Sequence, residues 1–294
     1  MGASEAACVA YVALVAAALL AQLARRSRRG ELCWHTLSWS HVTHDARGLG
    51  PRALGAIRLT MGAYALATLV AMAREKPDAL STFTIWCWML IGLYLSSAGV
   101  ASLLEAAKGT SQEDCTSIAR TTGSRKIVSC IMWVWFEAMF STAILVFLVV
   151  WLVLLPWAYM TTGSDMHMLS FLTLSAHNLN VVFMGTEMML NRLAFVPDHA
   201  IFVMLYGICY VVFSWFYFLF GSRHRFWYFF LDWRRIGTPI WYTLLLLIIW
   251  AAFAGGQRLA TRAKARLASE LPGRAREAVA WPVAETQAEP TSPA

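Results

Sequence analysis

Seven apolar stretches dominate the chain, at about 6–24, 53–73, 80–104, 128–155, 166–192, 199–221 and 236–255. About 20 helical residues at a rise of 1.5 Å are enough to cross the hydrocarbon core of a bilayer. Inside lipid every backbone amide must find its partner within the segment, so stretches of this length become helices. The fold class that follows is all-α, a polytopic transmembrane helical bundle of about seven spans. Of 294 residues, 59% are hydrophobic and 14% charged, which leaves no room for a folded soluble domain. The expected organisation is an anchor helix with a basic and aromatic loop over 1–52, the bundle over 53–255, and a tail over 256–294. That tail begins basic and, from about 281, turns rich in Pro, Ala, Thr and Glu, the composition of disorder.

A net charge of +7 raises the question of nucleic acid, and the placement of the charge answers it. Seven spans put 17 Lys and Arg on the side of the loops 24–52 and 105–127, the turn at 193–198 with its flanking Arg192, and the C-terminal tail, against 6 on the other side. Arg58 alone falls within a span. By the positive-inside rule the N-terminus is lumenal or external and the C-terminus cytosolic. The chain reads as an integral protein of an endomembrane, such as the endoplasmic reticulum, or of the plasma membrane. ArgArgSerArgArg at 25–29 fits a retained signal anchor better than a cleaved leader. No Walker loop, GxGxxG, HExxH or GxSxG stands in usable context. Neither nucleotide, nucleic acid nor cofactor is expected, and the partners that remain are membrane lipids.

The loop after the first span carries Cys33, His35, His41, His44 and Asp45. All can ligate a metal, but their spacing matches no zinc pattern. Interleaved Trp34, Leu37, Trp39 and Val42 point instead to an interfacial segment lying along the headgroups, and no metal is expected. The six cysteines form no CxxC pair and read as small buried residues or reduced thiols.

The stretch 166–192 differs from the others in holding its polar residues on one face. At about 100° per residue, Thr173, Asn180, Met184, Glu187 and Asn191 share an arc of roughly 80° with His177. Such a stripe cannot face lipid, where an acidic residue at mid-span costs about 2.5–3.5 kcal/mol. It either glues helices together or lines a site. Two further charges lie within spans. Arg58 can snorkel to the headgroups along its stem or pair with Glu137 or Glu187, and Glu137 needs a partner from a neighbouring helix. Ser81, Thr82 and Thr84 open the third span, where a hydroxyl readily caps a helix start.

His177 followed at a fixed distance by Glu187 and Met188, with PheThrIleTrp at 83–86, resembles the androgen-induced threonine hydrolase family, which cleaves fatty acid esters of hydroxy fatty acids. His177–x–x–Asn180 and LeuAspTrp at 231–233 are similar to the related rolling stone family. The resemblance covers about residues 80–250. It implies a lipid ester substrate, Thr84 as nucleophile and His177 as the base that takes its proton, with Thr82 as the reserve nucleophile. Asn180, on the same face as His177, could donate to an oxyanion. Counting from Pro77 and Met166 at 1.5 Å per residue, Thr84 lies about 10 Å deep and His177 about 16 Å, within a helical turn of each other. A rolling-stone-like protein would instead serve membrane or cell-surface processes without chemistry. A small-molecule or proton-linked transporter using His177 and Glu187 is the third reading.

Overall fold

The computed structural model describes residues 2–108, 123–166, 168–221 and 224–270. Most of the loop at 105–127 and all of the tail expected to be disordered lie outside the described residues. The architecture is an all-α multi-pass bundle. Helix α1 spans Ala3–Arg28, the short α2 Trp39–Thr43, α3 Gly50–Glu75 and α4 Phe83–Ala107. Helix α5 (Ser124–Val149) passes through a π-turn at Val150–Leu154 into α6 (Leu155–Thr162), and α9 covers Ala200–Phe220. Helix α10 runs from Thr238 to Glu270. Among the described residues, six helical runs are long and apolar enough to cross a membrane, with α5 and α6 counting as one.

The helix ends follow local chemistry. Helix α3 stops at Glu75 because the residue before Pro77 is pushed out of helical backbone. Thr82 caps α4, its hydroxyl accepting from the Ile85 N–H at 3.4 Å. Gly163, at φ +70, closes α6 in the left-handed conformation that favours glycine. Pro156 has no N–H to give to the preceding turn, which accounts for the π-turn just before it.

Helices α3 and α4 pack as a close antiparallel pair. Glycines at 55, 62, 92 and 99 bring the backbones together, and a Cβ at Gly62 would stand 2.5 Å from Ser96 Oγ and 2.9 Å from Ser96 N. Small residues of this kind are what packing between membrane helices selects, since lipid offers no hydrophobic drive to associate. The main core is aromatic, with Trp133, Phe136, Tyr94 and Phe253 buried between α4, α5 and α10.

Three features differ from the sequence expectation. The fifth span is not one helix over 166–192. It begins at Phe171 after Met166 takes a positive φ of 50°, and it is interrupted at once. Helix α7 (Phe171–Leu174) gives way to a π-turn at Ser175–Leu179, then α8 runs over Asn180–Leu190. The Ser175 hydroxyl bonds back to the Phe171 carbonyl at 2.9 Å and so competes with the regular ladder. The second difference is α10, whose 33 residues extend about 50 Å, well past 255. Hydropathy falls at Gln257 and Arg258, yet Ala, Arg, Lys and Leu sustain a helix regardless of hydropathy. Third, the loop at 30–52 packs on the protein itself. Leu32, Leu37, Val42, Thr43, His44 and Asp45 are buried against the end of the bundle.

Candidate functional site

Three centres stand out among the described residues, two of them polar and one a mostly apolar cavity. The first joins α3 to α8. Arg58 donates through Nε to Glu187 Oε2 at 2.9 Å and through Nη2 to Oε1 at 2.6 Å, both side chains being fully buried. Its Nη1 donates to the Val42 carbonyl at 2.7 Å and to Ser102 Oγ at 2.9 Å. Tyr94 Oη and Asn191 Nδ2 both donate to Glu187 Oε1, at 2.9 and 3.2 Å. Lys264, far down α10, donates to Asn191 Oδ1 at 3.1 Å and to the Leu193 carbonyl. Of the two fates open to Arg58, pairing with Glu187 is the one found. A fork of two N–H donors matches a carboxylate in both charge and shape, and here nearly every lone pair has a donor.

The loop residues extend this centre. The Asp45 carboxylate accepts from the backbone N–H of Arg47, Leu49 and Gly50 at 2.7–2.8 Å, holding the start of α3. Its backbone bridges to Asn191, and Arg192 Nε donates to the Asp45 carbonyl at 2.7 Å. Asp45 therefore organises the backbone at the start of α3. Among the described residues no group of three or more His, Cys, Asp or Glu converges as metal ligands.

In the second centre, Glu137 on α5 meets His199 Nδ1 at 2.6 Å and accepts the Val196 N–H at 2.8 Å, with His199 Nε2 against the Leu32 carbonyl at 3.0 Å. Trp34 stacks on the imidazole at 4.6 Å. Glu137 thus ties the turn before α9 to the loop after α1.

The third centre is a cavity of about 70 Å³ towards the opposite end of the bundle, where α1 and α4 begin. Val12 and Val15 of α1, Val146, Val149 and Leu154 of α5 and its π-turn, and Ile249 of α10 make its walls apolar. Thr84 lies at its rim, in the first turn of α4, and is only 7% exposed. Beside it stands Tyr228, from the connection between α9 and α10. Burial pushes the Tyr228 phenol up, and the adjacent Thr84 side chain and backbone pull it partly back. Thr82 is engaged elsewhere, as the cap of α4 and as a donor to the Ala79 carbonyl at 2.8 Å.

The stripe on the fifth span divides between these centres. Glu187 and Asn191 belong to the first. Thr173 is half-buried and accepts from Ser170 Oγ at 2.8 Å. His177 and Asn180 are buried, at 8% and 1% exposure, and His177 Nδ1 and Asn180 Nδ2 have no hydrogen-bond partner. The Asn180 Oδ1 accepts the Val181 N–H at 2.7 Å. His177 is not among the residues lining the cavity at Thr84. Its π-turn packs through Ala176 and Leu179 beside Ala65, Ile85 and Trp88.

The chain matches no family model, no curated protein and no solved structure. The site therefore stands on its own geometry. Tyr228 was hidden in sequence within an aromatic run typical of a membrane interface. Tyr94, Ser102 and Lys264 carried no signal of their own, since their role depends on how distant helices meet.

Proposed function

We propose that this membrane protein admits the acyl chain of a lipid ester to the cavity beside Thr84 and hydrolyses the ester there. One placement supports the reading, a buried threonine hydroxyl at the rim of an apolar cavity. In the reaction Thr84 Oγ attacks the ester carbonyl carbon while its proton passes to His177. The alcohol then leaves with that proton, and water cleaves the acyl-threonine by the same route. The imidazole must come within about 3 Å of the hydroxyl to act. The π-turn, an irregularity often found at functional sites, gives the His177 segment a place to shift when lipid binds. Fatty acid esters of hydroxy fatty acids are the substrate class that the resemblance implies.

The test is turnover of such branched esters by purified protein. Thr84→Ala and His177→Ala should each lower the rate at least about 100-fold, the usual scale for loss of a nucleophile or base, while Thr84→Ser keeps part of it. Equal turnover in wild type and both alanine variants would end the hydrolase reading.

A second reading has its own observation. His177 lies off the cavity with Nδ1 unpartnered, which favours a rolling-stone-like protein that binds lipid without cleaving it. Its signature is acyl-chain binding with no turnover. The transporter reading has less behind it, because Arg58 already neutralises the Glu187 carboxylate that a proton-linked site would need free.

A further inference from the structure

The polar rim of the cavity has more to say about its occupant. Four tyrosines line the cavity, at 11, 210, 228 and 242. Three of their hydroxyls are engaged. Tyr11 shares a hydrogen bond with Thr243 Oγ1 at 2.6 Å. Tyr210 donates to the Ser81 carbonyl at 2.9 Å, and Tyr242 donates to the Leu231 carbonyl at 3.1 Å while accepting from Trp215 Nε1. Tyr228 has Thr84, the Phe83 backbone and the Tyr210 hydroxyl as its polar neighbours.

The segment that carries Tyr228 is held in place by its flanks. Trp227 Nε1 donates to Ser81 Oγ at 2.5 Å, so the residue before Tyr228 is fastened to the turn that leads into Thr84. Phe230 stacks on the Tyr228 ring at a centroid distance of 5.2 Å. Ser81 is thus gripped by Trp227 and by Tyr210, which sets the Tyr228 and Thr84 hydroxyls at one mouth. Beyond that pair of hydroxyls the walls are apolar, with Val146, Val149 and Ile249 among them.

We infer that Tyr228 binds the carbonyl oxygen of a fatty acyl group, donating its O–H to it, so that the carbonyl and the first methylenes sit against the apolar wall of the cavity. An apolar group with one acceptor at its end suits a small apolar cavity where the Tyr228 and Thr84 hydroxyls lie together. A phenol whose ionisation is suppressed by burial stays a donor at neutral pH. The inference rests on the lipid-binding part of the proposed function and not on turnover.

The test uses the full chain in nanodiscs and a photoactivatable fatty acyl methyl ester, competed by methyl palmitate or by an alkane of equal length. Wild type should favour the ester about fivefold over the alkane, the worth of one neutral hydrogen bond. Tyr228→Phe keeps the ring and its stacking, and should compete the two equally. Tyr11→Phe, whose hydroxyl is engaged with Thr243, should keep the preference. A preference that survives in Tyr228→Phe, a wild type without one, or crosslinks outside the cavity-lining peptides would each overturn the inference. Preference without ester turnover supports Tyr228 as the carbonyl donor and sinks hydrolysis alone.

Discussion

Arg58 and Glu187, 129 residues apart, meet in a two-point fork at 2.9 and 2.6 Å with no solvent exposure on either side chain. The pair pins α8 to α3, and its surrounding donors reach α4 and α10. The desolvation cost of such a pair is large, so its geometry has to be complete. Removing one partner leaves an uncompensated buried charge, which costs about 3–5 kcal/mol. Arg58→Ala and Glu187→Ala should each lower the thermal midpoint in detergent sharply. The double replacement by methionine should recover much of the loss. If Glu187→Ala melts like wild type, the pair does not hold the bundle together.

The α3–α4 contact offers a test of opposite signs. An alanine at position 62 would press on the Ser96 backbone and hydroxyl at under 3 Å, whereas the space around Gly185 is open. Overpacking of this kind costs about 1–3 kcal/mol. Replacing an unhindered helical glycine gains up to about 1 kcal/mol. Thermal melts should therefore rank Gly185→Ala at or above wild type and Gly62→Ala below it.

Acid sensitivity should trace in part to His41. Its Nδ1 accepts the Ser38 N–H at 2.9 Å, which requires an unprotonated nitrogen. Burial, with Arg192 and Lys264 nearby, holds the ring down at about 3. The unfolded chain titrates near 6.5, so below that pH it takes up a proton that the folded protein refuses. Stability is then lost progressively as pH falls from about 6.5 towards 3. His44 is displaced in the same direction by burial and by Arg192. His41→Asn should flatten the fall in melting temperature over this window without removing it, and an unchanged slope would contradict the assignment.

The bundle was legible because lipid forces long apolar segments into helices, and hydropathy reads those segments directly. The same rule explains what was missed. Hydropathy ended the last span at 255, but Lys264 continues on the helix and finds its partners at Asn191 and Leu193. A wheel of 100° per residue placed His177 and Glu187 on one face, and both are buried. It could not show the π-turn at Ser175–Leu179, which is set by packing and a serine back-bond rather than by pattern. Arg58 left two outcomes open in sequence, since snorkelling and pairing use the same residue at the same depth. Only the meeting of α3 with α8 decides between them.

The most direct measurement of the central claim is where a fluorophosphonate reacts with the purified protein. Thr84 Oγ should attack the phosphorus and expel fluoride, the hydroxyl proton leaving with it, and peptide mass spectrometry should place the phosphonyl adduct there. Labelling should persist in Thr82→Ala and in Tyr228→Phe and vanish in Thr84→Ala. An adduct on another residue that persists undiminished in Thr84→Ala, or no adduct at all in folded wild type, would contradict a nucleophilic Thr84.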